Sequence, residues 1–165
     1  MTVGTGVGGG VVLDGTPVKG LSHPEMGHMR VPRHPYDRDF AGICPYHGDC
    51  LEGLVCGPAI IARWGGSLST LAVDHPAHDI VAWYLAQLVI TLQAMLEPGR
   101  IIFGGGVMQV PGLIEALRRA AEARFANYIH SPHLDPGLER YIVKPGLGND
   151  AGITGAIALG RKALI

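Results

Sequence analysis

The chain has 165 residues, 47% of them hydrophobic, and a formal net charge of -1. That suits one domain with a real core, and the absence of any basic stripe or charge run argues against a nucleic acid or an anionic membrane as partner. Three cysteines make no disulfide framework, and no basic segment leading into an apolar stretch opens the chain, so a reducing, cytoplasmic setting without a signal peptide is expected.

Read in order, Thr2 to Gly10 is TVGTGVGGG, and Val11-Val12-Leu13 leads into Asp14-Gly15, a strong turn signal. This predicts a strand into a glycine loop, then a strand to the turn, in a β-hairpin start. Residues 20–50 hold most of the Pro, His and Cys and read as a long functional loop or a small metal-ordered subdomain. Leu51 to Trp64 predicts a helix in two pieces, with Pro58 in the first turn of the second. From Pro76 to about Glu97 the period is helical, with Val81, Leu85, Leu88, Leu92 and Met95 on one face and Tyr84, Val89 and Leu96 beside it. Asp79, Gln87 and Gln93 interrupt this apolar segment, so a buried helix is expected rather than a membrane span.

Pro98-Gly99 ends that helix, and Arg100 to Phe103 reads as a short buried strand running into Gly104-Gly105-Gly106. Pro111 is expected to open the next helix, with Leu113, Ile114, Leu117 and Phe125 apolar and Glu115–Arg119 as an i,i+4 pair. Tyr141-Ile142-Val143 is a strand, and Asp150 can cap a last helix from Ala151 to about Leu164. Strands and helices alternate, which makes this an α/β domain.

The most informative cluster is His28 with Cys44-Pro45-Tyr46-His47-Gly48-Asp49-Cys50, where Cys44, His47 and Cys50 follow a C-x2-H-x2-C spacing. Two thiolates and two imidazoles would complete a closed tetrahedral zinc site and order a loop with little apolar material. Spacing alone leaves a second reading open, two free cysteines in a loop of a histidine-rich chain. Cys56, between Leu54-Val55 and Gly57-Pro58, reads as a small buried apolar residue.

Three glycine loops are expected at strand ends: Gly4-Thr5-Gly6, Gly104-Gly105-Gly106 and Gly148-Asn149-Asp150-Ala151-Gly152. Glycine lets backbone amides approach a phosphate or a purine, and the last loop opens a helix whose N-terminus favours anions. Gly152 and Gly155 would keep that helix thin on one side. Each loop alone is as readily an ordinary turn, and neither a P-loop nor G-x-G-x-x-G is matched. Together the three suggest a nucleotide cleft.

GTGVGGG, HPEMGHM, CPYHGDCLEG, RIIFGGGVM and GNDAGITGA, in this order, resemble the C-terminal half of ROK-family sugar kinases, the bacterial fructokinase branch above all. The resemblance covers essentially all of residues 1–165 and implies an actin-like, ribonuclease-H-like ATPase lobe with a sugar- and zinc-binding loop region at 20–55. It implies that Gly4, Thr5 and Gly6 are the second phosphate loop, and that Gly105, Gly106 and Val107 lie on the adenine side. Glu25 and His28 match the family's E-x-G-H motif, the Glu binding sugar hydroxyls and the His touching both sugar and zinc. Cys44, His47 and Cys50 are implied as the other zinc ligands, where many relatives use C-x-C-x4-C, and Glu52 as a second sugar ligand. Without the resemblance both Glu25 and Glu52 read as solvated surface residues.

The implied reaction is transfer of the γ-phosphate of ATP, with magnesium, to a hexose, fructose to fructose 6-phosphate. The family also needs a D-x-G-G-T-K phosphate loop and a catalytic Asp in an N-terminal lobe. The motif does not occur here, and none of Asp14, Asp37, Asp39, Asp49, Asp74, Asp79, Asp135 or Asp150 has the catalytic context. The sequence therefore predicts a C-terminal lobe without its N-terminal lobe, inactive by itself, that forms a dimer or associates with the missing lobe. The other readings are half of a two-chain kinase and a non-catalytic zinc-containing sugar- or nucleotide-binding or interaction module.

Overall fold

The computed structural model describes residues 1–132, 134 and 137–163; Asp135 and Leu164 lie outside them. Two tight hairpins come first. β1 (Thr2–Val3) pairs antiparallel with β2 (Val7–Gly8) around Gly4-Thr5-Gly6, and β3 (Val12–Leu13) pairs with β4 (Thr16–Pro17) around Asp14-Gly15. After the long loop come α1 (Leu51–Val55), α2 (Gly57–Trp64) and α3 (Ala77–Leu96). β5 (Ile101–Ile102), α4 (Leu113–Phe125), β6 (Ile142–Val143) and α5 (Ala151–Ala163) complete the order.

Four of these strands join into one small sheet, apart from the β3–β4 hairpin. β5 and β6 are parallel, with Ile101 opposite Ile142. A parallel bridge from Thr2 to Gly104, the Val3 amide donating to Gly104 O at 2.8 Å and the Gly104 amide to Met1 O at 3.0 Å seat β1 beside the end of β5. The order is thus β2-β1-β5-β6. Successive side chains alternate faces. Val3, Val7, Ile101 and Ile142 are buried, while Thr2 and Ile102 on the opposite face are exposed.

The buried face meets α1, α3 and α4 in one core that includes Leu51, Leu54, Leu85, Leu88, Phe103, Leu113 and Leu117. α3 is long and apolar enough to cross a membrane, but Val81, Tyr84, Leu85, Leu88 and Val89 are buried in this core, chiefly against α4. Met95 and Leu96, expected on its apolar side, are exposed because burial stops at Gln93 and the last turn runs past the core. The Tyr141 hydroxyl donates to the Gln93 side chain, closing that end.

Local chemistry sets the element ends. Cys56, 2% exposed, is the joint between α1 and α2, and Pro58 sits in the first turn of α2 as expected. His75 Nδ1 accepts the Ala77 amide at the start of α3. α4 begins at Leu113 rather than Pro111 because Gly112, at φ 81°, is left-handed and cannot belong to a right-handed helix. No ion pair joins Glu115 and Arg119 among the described residues, so the exposed face of α4 lacks that support.

Candidate functional site

The two ends of the Cys/His cluster reach the same point by different routes. His28 closes a single 3-10 turn, Met26–His28, whose Gly27 lies against β2: a Cβ there would stand 2.1 Å from Val7 O. Cys44 and Gly48 exchange amide hydrogen bonds at 3.1 and 2.9 Å, with Gly48 left-handed at φ 62°. This tight turn presents Cys44 and His47, and Cys50 follows immediately before α1.

Donor atoms of His28, Cys44, His47 and Cys50 all lie within 4.8 Å of one another. His28 Nδ1 is 3.6 Å from Cys44 Sγ and from Cys50 Sγ and 3.3 Å from His47 Nδ1, and His47 Nδ1 is 3.7 Å from Cys44 Sγ. A tetrahedron with ordinary zinc bond lengths has edges of about 3.3 Å between nitrogens and about 3.6 Å between nitrogen and sulfur. The donor set and its spacing fit such an ion. Burial pushes the Cys44 thiol up, but the Tyr46 and His47 amides and the Cys50 and His47 side chains outweigh it and bring it down to about 6. Burial pushes the Cys50 thiol up, and its neighbour Cys44 adds to the rise. The cluster thus already favours one thiolate.

With Nδ1 turned to this cluster, His28 presents Nε2 to the other side. There it stands 4.0 Å from Glu25 Oε2 and 4.0 Å from Glu52 Oε1. Glu25 is mostly exposed and also meets His23 Nε2 at 2.5 Å. Glu52 sits in the first turn of α1, and its Oε2 accepts the Val7 amide at 2.8 Å. One imidazole nitrogen and two carboxylates converge beside the β1–β2 hairpin, a set able to hold the vicinal hydroxyls of a polyol. Thr5, Gly6, Val7 and Glu52 line an open cleft of about 320 Å³ at this place.

The first two glycine loops also come together. Gly4 O accepts the Gly57 amide at 2.6 Å, and a Cβ on Gly4 would stand 3.8 Å from Gly106 N. Gly105, at φ 95°, allows the close approach, since a Cβ there would lie 2.4 Å from Val3 O. Gly4, Thr5, Gly106 and Val107 share a cavity of about 470 Å³ with Pro58, Ile61, Leu68 and Val110. The third loop faces Gly104 to Gly106 across a wider cleft of about 810 Å³ on the open face of the sheet, where Gln109 Nε2 donates to Asn149 Oδ1 at 3.2 Å. Gly152 and Gly155, expected to keep α5 thin on one side, have nothing within 4 Å of where a Cβ would be.

Sequence reasoning missed the polar frame of the loop. Asp37, 7% exposed, accepts from Arg63 Nη1 at 2.9 Å and from the Tyr84 hydroxyl at 2.7 Å. Arg63 also donates to Leu54 O at 2.8 Å, and its guanidinium lies 4.1 Å from the centre of the Phe40 ring. Burial and the Asp37 bond both push the Tyr84 hydroxyl up, so it stays a neutral donor. The charged residues of the 30–40 segment were the only signal in the sequence.

The ROK family model matches residues 1–163. A fructokinase of Zymomonas mobilis is 50% identical over 165 residues, which is 99% of this chain and 54% of that protein. A putative fructokinase of Bacillus subtilis is 42% identical over 164 residues, again 99% of this chain and 54% of that one. The crystal structure of a ROK hexokinase from Thermus thermophilus superposes with a TM-score of 0.68 at 27% identity, covering 94% of this chain and 53% of the other. The chain spans about half the length of the curated relatives it matches. Its motifs, its mixed α/β fold and the family match together place it: this chain belongs to the ROK family.

Proposed function

We propose that this chain is the sugar-binding half of a cytoplasmic ROK-type kinase that transfers the γ-phosphate of magnesium-ATP to a hexose hydroxyl, converting fructose to fructose 6-phosphate. The observation that carries the reading is the convergence of Glu25, His28 Nε2 and Glu52 beside the glycine hairpin. The fructokinase relatives support fructose as the sugar.

Each residue then has a task. Glu25 and Glu52 accept hydrogen bonds from sugar hydroxyls and His28 Nε2 contacts the sugar between them. His28 Nδ1, Cys44, His47 and Cys50 hold a structural zinc ion, which ties the loop at 20–55 together and fixes the imidazole that faces the sugar. Gly4, Thr5 and Gly6 offer amides and a hydroxyl to the terminal phosphate, and Gly105, Gly106 and Val107 take the nucleoside side. The 470 Å³ cavity that both loops share, largely walled by apolar side chains, is where a base fits.

The D-x-G-G-T-K loop and the Asp that deprotonates the attacking hydroxyl are not among these 165 residues. They belong to the other half of the enzyme, so no residue of this chain is assigned as catalytic. Loss of a general base alone costs about 100- to 10,000-fold. The chain by itself should therefore bind fructose and zinc but show no turnover with ATP and magnesium in a coupled assay. Turnover near about 1 to 100 per second from the chain alone would overturn the division of labour. Failure to bind fructose, glucose or mannose by calorimetry would overturn the sugar site. A sugar-binding chain that no ROK N-terminal half restores to activity would identify it as a binding module.

A further inference from the structure

The metal donors sit on two separate segments, His28 on one and Cys44, His47 and Cys50 on the other, and something must hold the segments in register. The backbone does part of this: Leu51 N donates to Met29 O at 3.0 Å, and Arg30 and Cys50 form an isolated antiparallel bridge. The rest falls to Asp49, which lies between the donors His47 and Cys50. Its Oδ1 meets Arg30 Nη2 at 2.7 Å and its Oδ2 accepts from Arg33 Nη1 at 3.2 Å. Arg30 Nη1 also donates to His47 O at 2.7 Å, so one guanidinium grips both ends of the His47–Asp49 stretch.

The second guanidinium is anchored elsewhere. Arg33 Nη2 donates to the carbonyls of Asp37 and Phe40. Asp37 in turn is fixed by Arg63 and Tyr84, from α2 and α3. A continuous polar chain therefore runs from the metal turn to the helical core. Asp49 is the point where it enters the turn.

We propose that Asp49 is a positioning residue of the metal loop: its carboxylate, held by Arg30 and Arg33, locks the His47–Cys50 turn onto the segment that carries His28. The inference rests on the metal reading given above. Asp49 is itself no ligand, because both its oxygens point to guanidiniums and the four-donor set is complete without it. Its effect is preorganisation. Without the clamp, the turn must be ordered by the ion, and that cost appears as weaker binding. Removing a partner that orients a metal ligand typically costs about 10- to 100-fold in affinity.

The test is zinc affinity by competition with a chromophoric chelator, and the ligand-field spectrum of the cobalt(II)-loaded chain, for wild type, Asp49→Asn, Asp49→Glu and Arg33→Lys. Asp49→Asn should bind zinc about 10- to 100-fold more weakly while the cobalt bands keep their tetrahedral form. Asp49→Glu should recover part of the loss, and Arg33→Lys, which keeps charge but not the fork, should fall between. A zinc affinity for Asp49→Asn within about twofold of wild type would overturn the proposal, given how large such effects ordinarily are. So would cobalt bands of altered form, which would make Asp49 a ligand, or faster amide exchange throughout α3, which would make the effect one of global stability. A wild-type chain that takes up no zinc would remove the metal reading, and this inference with it.

Discussion

Two glycines decide how close the Cys/His turn and Glu52 can stand to their neighbours. A Cβ at residue 53 would lie 2.0 Å from Gly48 O and 2.9 Å from Cys44 N, so α1 can approach the Cys44–Gly48 turn only with glycine there. Both obstacles are backbone, and neither can swing aside. Gly53→Ala should cost about 1–3 kcal/mol through overpacking and should drive the turn away from Cys50. Thermal unfolding and zinc analysis check this; an unchanged melting temperature with full zinc would refute it. Gly6 plays the same part beside Glu52, since a Cβ there would lie 2.8 Å from Glu52 Oε2. Glu52→Gln separates the observed hydrogen bond of that carboxylate to Val7 N from the sugar contact proposed for it. The amide oxygen still accepts from Val7 N, so the fold is kept, but the charge that strengthens bonds to sugar hydroxyls is gone. Hydrogen bonds to charged groups contribute about 1.5–3 kcal/mol, so fructose binding should weaken about 10- to 100-fold. Calorimetry showing equal affinity would place Glu52 outside the sugar site.

Among the elements, those whose signals are local were legible. The break between α1 and α2 at Gly57-Pro58, the long buried helix and the turn at Asp14-Gly15 are all written in short windows of sequence. The Cys/His cluster was legible for the same reason, as His28, Cys44, His47 and Cys50 lie within one stretch of chain. The sheet was legible only as separate strands, because the pairing of β1 with β5 joins residues about a hundred positions apart. The polar frame was hidden for the same reason: Asp37 reaches Arg63 across 26 positions and Tyr84 across 47. That frame makes the loop less dependent on the bound ion proposed above than the sequence alone suggests. Cys44→Ser or Cys50→Ser, each expected to lose zinc, should speed amide exchange in residues 41–50 but leave residues 30–40 protected. Asp37→Asn should do the reverse and more. It leaves Arg63, whose side chain is 6% exposed, without its counter-charge, and breaking a buried pair in this way costs about 3–5 kcal/mol. Denaturant unfolding decides it: a loss under about 1 kcal/mol would mean that the frame contributes no more than an exposed ion pair.

At the scale of the whole molecule, two surfaces stand out as uncovered among the described residues. One is the sheet face that carries Thr2 and Ile102, and the other is α5, which is exposed along its described length apart from the half-buried Ala151. Ile153 and Ile157, at 61% and 57% exposure, stand four residues apart on one side of α5, with Ala156 between them. Helices of this length are marginal in water without an apolar face to bury, so α5 is expected to be helical only when docked. The sheet face beside its first turn stays open as the 810 Å³ cleft. On the reading proposed above, α5 and this face are expected to meet a second polypeptide, another copy of the chain or the N-terminal half of a ROK protein. Patches of this kind are uncommon on soluble monomers. Sedimentation at several concentrations should show the chain associating, and Ile153→Lys with Ile157→Lys should return it to monomer without lowering the stability of the α3–α4 core. Adding the N-terminal half of a ROK kinase should compete with self-association and protect the amides of residues 151–163. A monomer at every concentration, with no binding of an apolar-surface dye and no protection on adding that half, would show that α5 serves no interface.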